Sequence, residues 1–144
     1  MILTDAQLQN EIQKCEYCEE KPCTIACPAG CSPADFLMAA KQGQPSDYLR
    51  AALQILSRNP LGGVCGHVCP DKFCMEACAR AKLDCPVNIP DCQATIIHKA
   101  RELAILPIIQ PSNQLNKLIA IFGGGPSGWS TAVALSHMGY QLEI

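Results

Sequence analysis

Most of the chain's 11 cysteines fall into two short runs whose spacing suits metal ligation. The first reads Cys15-Glu-Tyr-Cys18-Glu-Glu-Lys-Pro-Cys23-Thr-Ile-Ala-Cys27-Pro28, the second Cys65-Gly-His-Val-Cys69-Pro70-Asp-Lys-Phe-Cys74-Met-Glu-Ala-Cys78. Cys15 and Cys18 are close enough for one tight turn to present both sulfurs to a single centre. Cys23 and Cys27, like Cys74 and Cys78, stand at i and i+4, so a helical turn would put each pair on one face. Pro28 and Pro70 each remove an N–H and disfavour helix at the preceding cysteine, forcing the chain to leave the site. Runs ending in Cys-Pro occur in iron–sulfur ferredoxins, where the last Cys often ligates a different cluster from the others.

Zinc is the rival metal, and structural zinc sites use C-x2–4-C pairs in sets of four; here only Cys15/Cys18 has the two-residue gap, while three-residue gaps dominate and two Cys-Pro steps are present. A full disulfide framework fits poorly. The cysteine count is odd, and Met1–Glu11 lacks the basic start and apolar run of a secretory signal. The clustered cysteines therefore read as iron–sulfur ligands. A zinc-stabilised interaction domain and a thiol redox sensor are the rivals from other classes. Cys31, Cys85 and Cys92 read as small buried hydrophobes.

A third signal follows the thiols. Leu118-Ile-Ala-Ile-Phe122 runs into Gly123-Gly-Gly125-Pro126-Ser127-Gly128 and then an Ala-rich stretch ending at Gly139. This is G-x-G-x-x-G between a strand and a helix, the context a dinucleotide fingerprint requires. Gly123 would permit the tight turn, Gly125 the approach of backbone N–H groups to a pyrophosphate, and Gly128 close packing of helix on strand. The helix N-terminus would face the phosphates. Gly123, Gly125, Pro126, Ser127 and Gly128 are thus the candidate cofactor-binding residues. Gln141–Ile144 reads as the start of a second strand, so the chain is expected to be a fragment of a longer parent, with Glu143 left unassigned.

The elements that must position these groups read mostly as helix. Thr4 with Gln7 forms a capping box for a first helix. Ser32 before Pro33 opens another that stops near Gly43. Ser46 is expected to cap a third, with Leu49, Leu53 and Leu56 as its apolar stripe. A last helix is expected from Pro90, carrying Ile96, Ile97, Ala100 and Leu103 before Pro107. The fold class is mainly α: a helical iron–sulfur domain over 1–106, a linker over 107–116, and the first strand and helix of a Rossmann-type domain over 117–144.

Composition sets the outer bounds. Charged residues make up 17% and the net charge is −2, which argues against nucleic acid and anionic membrane surfaces as partners. The apolar stretches are too short to span a bilayer, so a soluble, cytoplasmic protein is expected. Aromatics are scarce at 5%, which suggests a Cys-rich part with little core of its own and cohesion supplied by metal.

Together, the two runs, Asn59-Pro-Leu-Gly-Gly-Val-Cys-Gly-His-Val-Cys-Pro70, Pro86-Val-Asn-Ile-Pro-Asp-Cys-Gln93 and the Gly-Gly-Gly-Pro-Ser-Gly turn resemble the N-terminal iron–sulfur domain shared by dihydropyrimidine dehydrogenase and the small subunit of bacterial glutamate synthase. The Asn-Pro-Leu-Gly step and the Pro-Val-Asn-Ile…Gln segment are closer to the first branch. The resemblance implies an α-helical ferredoxin-like domain with two [4Fe-4S] clusters. Cys15, Cys18, Cys23 and Cys78 would hold one, and Cys27, Cys69, Cys74 and the Gln93 amide the other. Cys92 is a rival to Gln93, and Cys65 belongs to the motif without being a ligand. The chain departs from the pattern in the surplus thiols Cys31, Cys85 and Cys92 and in a Cys69–Cys74 gap one residue short. By the same resemblance, NAD(P)H reduces FAD in the flavin domain of the parent, and the clusters relay electrons to an acceptor domain or subunit. The alternative is a glutamate synthase-type electron donor. No acid–base residue is nominated. His67, among the cysteines, is a candidate donor to a cluster sulfide, and His98 and His137 read as helix-surface residues.

Overall fold

The computed structural model describes every residue except Asp71, Ile109 and Ser112. Ile109 and Ser112 belong to the expected linker and Asp71 to the second cysteine run, so those positions lie outside the described residues. Contacts divide the chain into two compact units, Met1–Pro107 and Ile108–Ile144.

The first unit is helical: α1 Asp5–Gln13, α2 Pro22–Ile25, α3 Pro33–Ala39, α4 Pro45–Leu56, α5 Gly62–Val68, a 3-10 turn Ala79–Lys82, and α6 Ile89–Glu102. Local chemistry explains several ends. Thr4 and Gln7 close the capping box at α1. Asn88 caps α6 by accepting the Asp91 N–H, so this helix begins one residue before Pro90. Ser32 holds the N-cap position of α3, yet its hydroxyl pairs with Thr24 Oγ1 at 2.9 Å instead of capping.

Helix α4 departs from its sequence reading. The cap is Gln44, not Ser46, because Pro45 takes the first helical position it suits. The Asp47 carboxylate accepts the Gln44 N–H at 3.1 Å. The buried face is Tyr48, Ala51, Ala52 and Ile55, while Leu49 and Leu53 are 40% and 43% exposed. Both sets share the helical period; the small alanines let neighbouring helices approach closely, and that decides the packing face. Leu103, likewise expected inside, is exposed at the end of α6.

The expectation of a poor core is also overturned. Leu8, Ile12, Phe36, Leu37, Ile55, Ile96 and Ala100 are fully buried in one cluster with Cys92. Each large aliphatic removed from water stabilises by about 1.5–3 kcal/mol, so aliphatic and alanine packing replaces the missing aromatics. Helix α6 is the centre, packed by α1, α3, α4 and α5. Three glycines bring α5 close. A Cβ on Gly66 would stand 2.6 Å from Ala94 N, one on Gly62 2.3 Å from Ile55 Cγ2, and one on Gly63 3.1 Å from Ile97 Cγ2.

In the second unit, β1 Leu118–Ala120 and β2 Gln141–Glu143 pair in parallel around the intervening α7 Pro126–His137. Leu118 faces Gln141, and Ala120 faces Glu143. The strand is shorter than the apolar run, and Phe122 is 99% exposed. Among the described residues no helix is long and apolar enough to cross a membrane.

Candidate metal centres

The loop after α1 is shaped by two non-glycine residues in left-handed backbone conformations, Tyr17 (φ 48°) and Lys21 (φ 43°). Such residues are strained unless their surroundings hold them, and here they are held. Lys21 Nζ lies 2.7 Å from Asp35 Oδ1 and 4.6 Å from the Tyr17 ring centroid, while the Tyr17 hydroxyl donates to the same carboxylate oxygen at 2.8 Å. Cys15, Cys18 and Cys23 consequently line one cavity of about 30 Å³, and Cys78, from the second run, completes its thiols. The remaining wall includes Pro22, Ala34, Leu37, Val87 and Ile89. Arg80 joins the distant segments, reaching Lys14 O at 3.4 Å, Glu16 Oε1 at 3.0 Å and Asp84 Oδ1 at 3.1 Å.

A second cavity of about 150 Å³ is lined by Cys27, Cys31, Cys65, Cys69, Cys74 and Gln93. Helix α2 ends at Ile25, so Cys27 leaves the face that carries Cys23, and the two thiols line different cavities. Cys74 and Cys78 also separate, lying in turns rather than a helix. Close docking of α5 on α6 brings Cys65 and Cys69 to the same cavity as Gln93. The Gln93 Nε2 donates to Gly62 O at 2.6 Å, and among the described residues its carbonyl oxygen has no hydrogen-bond partner. Asn59 Nδ2 donates to Cys65 Sγ at 3.0 Å, and Asn59 Oδ1 accepts the Leu61 N–H at 3.1 Å. Cys92 sits in the core and lines neither cavity, and Cys85 is exposed. His67 is exposed on surface grooves outside the second cavity, so no role beside a sulfide follows from its place.

The donor set fits iron–sulfur clusters. Burial pushes the Cys15 and Cys23 thiols up, and the neighbouring thiol of Cys78 adds to both rises. Burial drives Cys74 up to about 12, with Cys69 and Cys27 adding to it, and Cys31 likewise to about 12 beside Cys27. An apolar wall disfavours bare thiolates; bound iron supplies the compensating positive charge and deprotonates its ligands. Among the described residues no three Cys, His, Asp or Glu side chains gather in a way that could hold one metal ion.

Sequence reasoning gave no role to Asn59, Lys21, Asp35 or Arg80. Asn59 stands inside the quoted Asn-Pro-Leu-Gly step, which was the one available signal. The others act through contacts 14 to 66 residues apart.

In the second unit, Gly123 (φ 114°) makes the turn after β1. A Cβ on Gly128 would come 1.9 Å from Gly123 O, while one on Gly125 would meet nothing within 4 Å. Gly125 caps α7 with no side chain across the helix end and Pro126 just inside it. The first-turn N–H groups are therefore free of a side-chain cap.

Known proteins are similar to this chain in sequence. The family described as dihydropyrimidine dehydrogenase domain II, 4Fe-4S cluster, matches residues 1–105. The chain is 36% identical over 139 residues to the NAD-dependent dihydropyrimidine dehydrogenase subunit PreT of Salmonella typhimurium, covering 93% of this chain and 32% of that protein. Identity to the PreT subunit of Escherichia coli K12 is 34% over 139 residues, with the same coverage. The NADPH-Fe(3+) oxidoreductase subunit beta of Geobacter sulfurreducens is 34% identical over 124 residues, covering 85% of this chain and 18% of that one. The chain thus spans about a third or less of these relatives. With the thiols of both cysteine runs gathered at two cavities of one helical unit, the chain belongs to the 4Fe-4S cluster domain family of dihydropyrimidine dehydrogenase domain II.

Proposed function

We propose that this chain is the electron-transfer segment of an NAD(P)H-dependent flavin oxidoreductase of the dihydropyrimidine dehydrogenase type. Cys15, Cys18, Cys23 and Cys78 hold one [4Fe-4S] cluster, and Cys27, Cys69, Cys74 and the Gln93 carbonyl hold a second. The observation that carries this reading is the sharing of thiols between the runs: each cavity is lined by cysteines from both. When bound, the clusters supply one-electron transfer between a flavin and a distant acceptor. The protein's own part is to keep the two sites adjacent, exclude water with Leu37, Val87 and Ile89, and hold the ligand loops through Lys21–Asp35 and Arg80. Gly123, Gly125, Pro126, Ser127 and Gly128 take the flavin pyrophosphate, the backbone N–H groups of all but Pro126 meeting its charge at the start of α7. The relatives' names favour a dihydropyrimidine dehydrogenase-type acceptor subunit over the glutamate synthase alternative.

Anaerobic purification with iron and sulfide present tests the proposal. The protein should be brown, bleach with dithionite and contain about eight irons per chain, as two cubanes require. Colourless protein with stoichiometric zinc would overturn it in favour of a zinc-stabilised interaction domain.

A further inference from the structure

Four residues outside the three-cysteine set Cys27, Cys69 and Cys74 put a ligand-type atom at the second cavity: Cys31, Cys65, Gln93 and Asn59, whose oxygen is taken by the Leu61 N–H. Their hydrogen bonds separate them. The Cys31 thiol is directed as a donor at Ile55 O, 3.9 Å away, and is only 2% exposed; it uses its proton. Gln93 gives its nitrogen to Gly62 O, and no described residue engages its oxygen. Cys65 differs from Cys31 in the decisive respect, because its sulfur accepts an N–H, from Asn59 Nδ2 at 3.0 Å. The Asn59 amide cannot be reversed, since its oxygen is engaged by the Leu61 N–H. An N–H aimed at sulfur is the outer hydrogen bond that a metal-ligating sulfur accepts, and Asn59 is itself 9% exposed, so this donor is shielded from water.

We propose that Cys65 is a reserve ligand of the second cluster, its thiolate taking the fourth iron whenever the Gln93 carbonyl is off it. This rests on the two-cluster reading above. The exchange is electron-neutral: an Fe–O bond breaks, an Fe–S bond forms, and the Cys65 proton passes to solvent. The cluster then carries one more negative ligand, which lowers its reduction potential. The site so has two ligand states of different potential within one unchanged fold.

The test uses the anaerobically reconstituted chain with Gln93→Leu, which removes the amide at similar volume, Cys65→Ala, and the double variant. Gln93→Leu should keep about eight irons per chain with a second-cluster potential shifted downward, and the double variant should lose one or more irons from that cluster. Loss of iron from Gln93→Leu alone, or full retention in the double variant, overturns the proposal. Wild-type protein with only about four irons would instead overturn the two-cluster reading beneath it. Far-UV circular dichroism checks folding. Should Gln93→Leu fail to fold, Gln93→Asn draws the carbonyl back with less disturbance. Cys65 should then resist iodoacetamide in loaded Gln93→Asn and react in loaded wild type; equal labelling in both overturns the proposal.

Discussion

Lys21 Nζ and Asp35 Oδ1 lie 2.7 Å apart, joining the loop between the first cysteines to the start of α3. Both side chains are about 30% exposed, so water screens the pair and it adds little to global stability. Its effect is local, because it holds Tyr17 and Lys21 in left-handed conformations around Cys18. Asp35→Ala should therefore speed iron release to a chelator severalfold while moving Tm only slightly. The Lys21 ammonium holds the Asp35 carboxyl below its usual range. The contribution is present above the ordinary carboxyl pKa of 3.8 and is lost as pH falls through the lowered folded value. Chelator rates for wild type and Asp35→Ala should converge in that acid window.

Cys15 and Cys78 line the same cavity although 62 residues separate them by number (78 − 15 − 1). Cys15→Ala and Cys78→Ala should each remove the same cluster, leaving one identical paramagnetic spectrum after reduction. Different residual spectra from the two variants would break the shared assignment.

Gly66 has no room for a side chain, since a Cβ would stand 2.6 Å from the Ala94 backbone nitrogen. Gly66→Ala gains about 0.5–1 kcal/mol of helix preference, but overpacking costs about 1–3 kcal/mol, and a backbone neighbour cannot yield as a flexible side chain does. We expect a lower Tm by differential scanning calorimetry. Because α5 carries Cys65 and leads into Cys69, iron should leave the second site in preference to the first.

Metal-free protein should lose stability in alkali. Burial raises the Cys31 and Cys74 thiols from 9.0 to about 12. Their neutral forms contribute fully below pH 9, and the contribution is lost as pH rises from about 9 towards about 12. Urea midpoints measured across that window should fall. Iron loading should run the other way at neutral pH, releasing protons and strengthening as pH rises; proton release measured during reconstitution checks the sign.

The sequence by itself determined what local chemistry governs. Thr4 and Gln7 cap α1 because their atoms lie within one turn. The cysteine spacing and the Cys-Pro steps pointed to iron–sulfur chemistry because ligand type and turn geometry are encoded within a few residues. Tertiary structure alone decided which thiols share a cavity, since Cys23 parts from Cys27 and Cys74 from Cys78 despite equal spacing. Packing chose the Ala51–Ala52 face of α4 over its leucines, turned Ser32 towards Thr24, and built an aliphatic core that the low aromatic content concealed. Asn59 acquired its sulfur partner the same way. These outcomes depend on how closely α4, α5 and α6 approach one another, and that distance is set by glycines and alanines far apart in the chain, where no local periodicity records it.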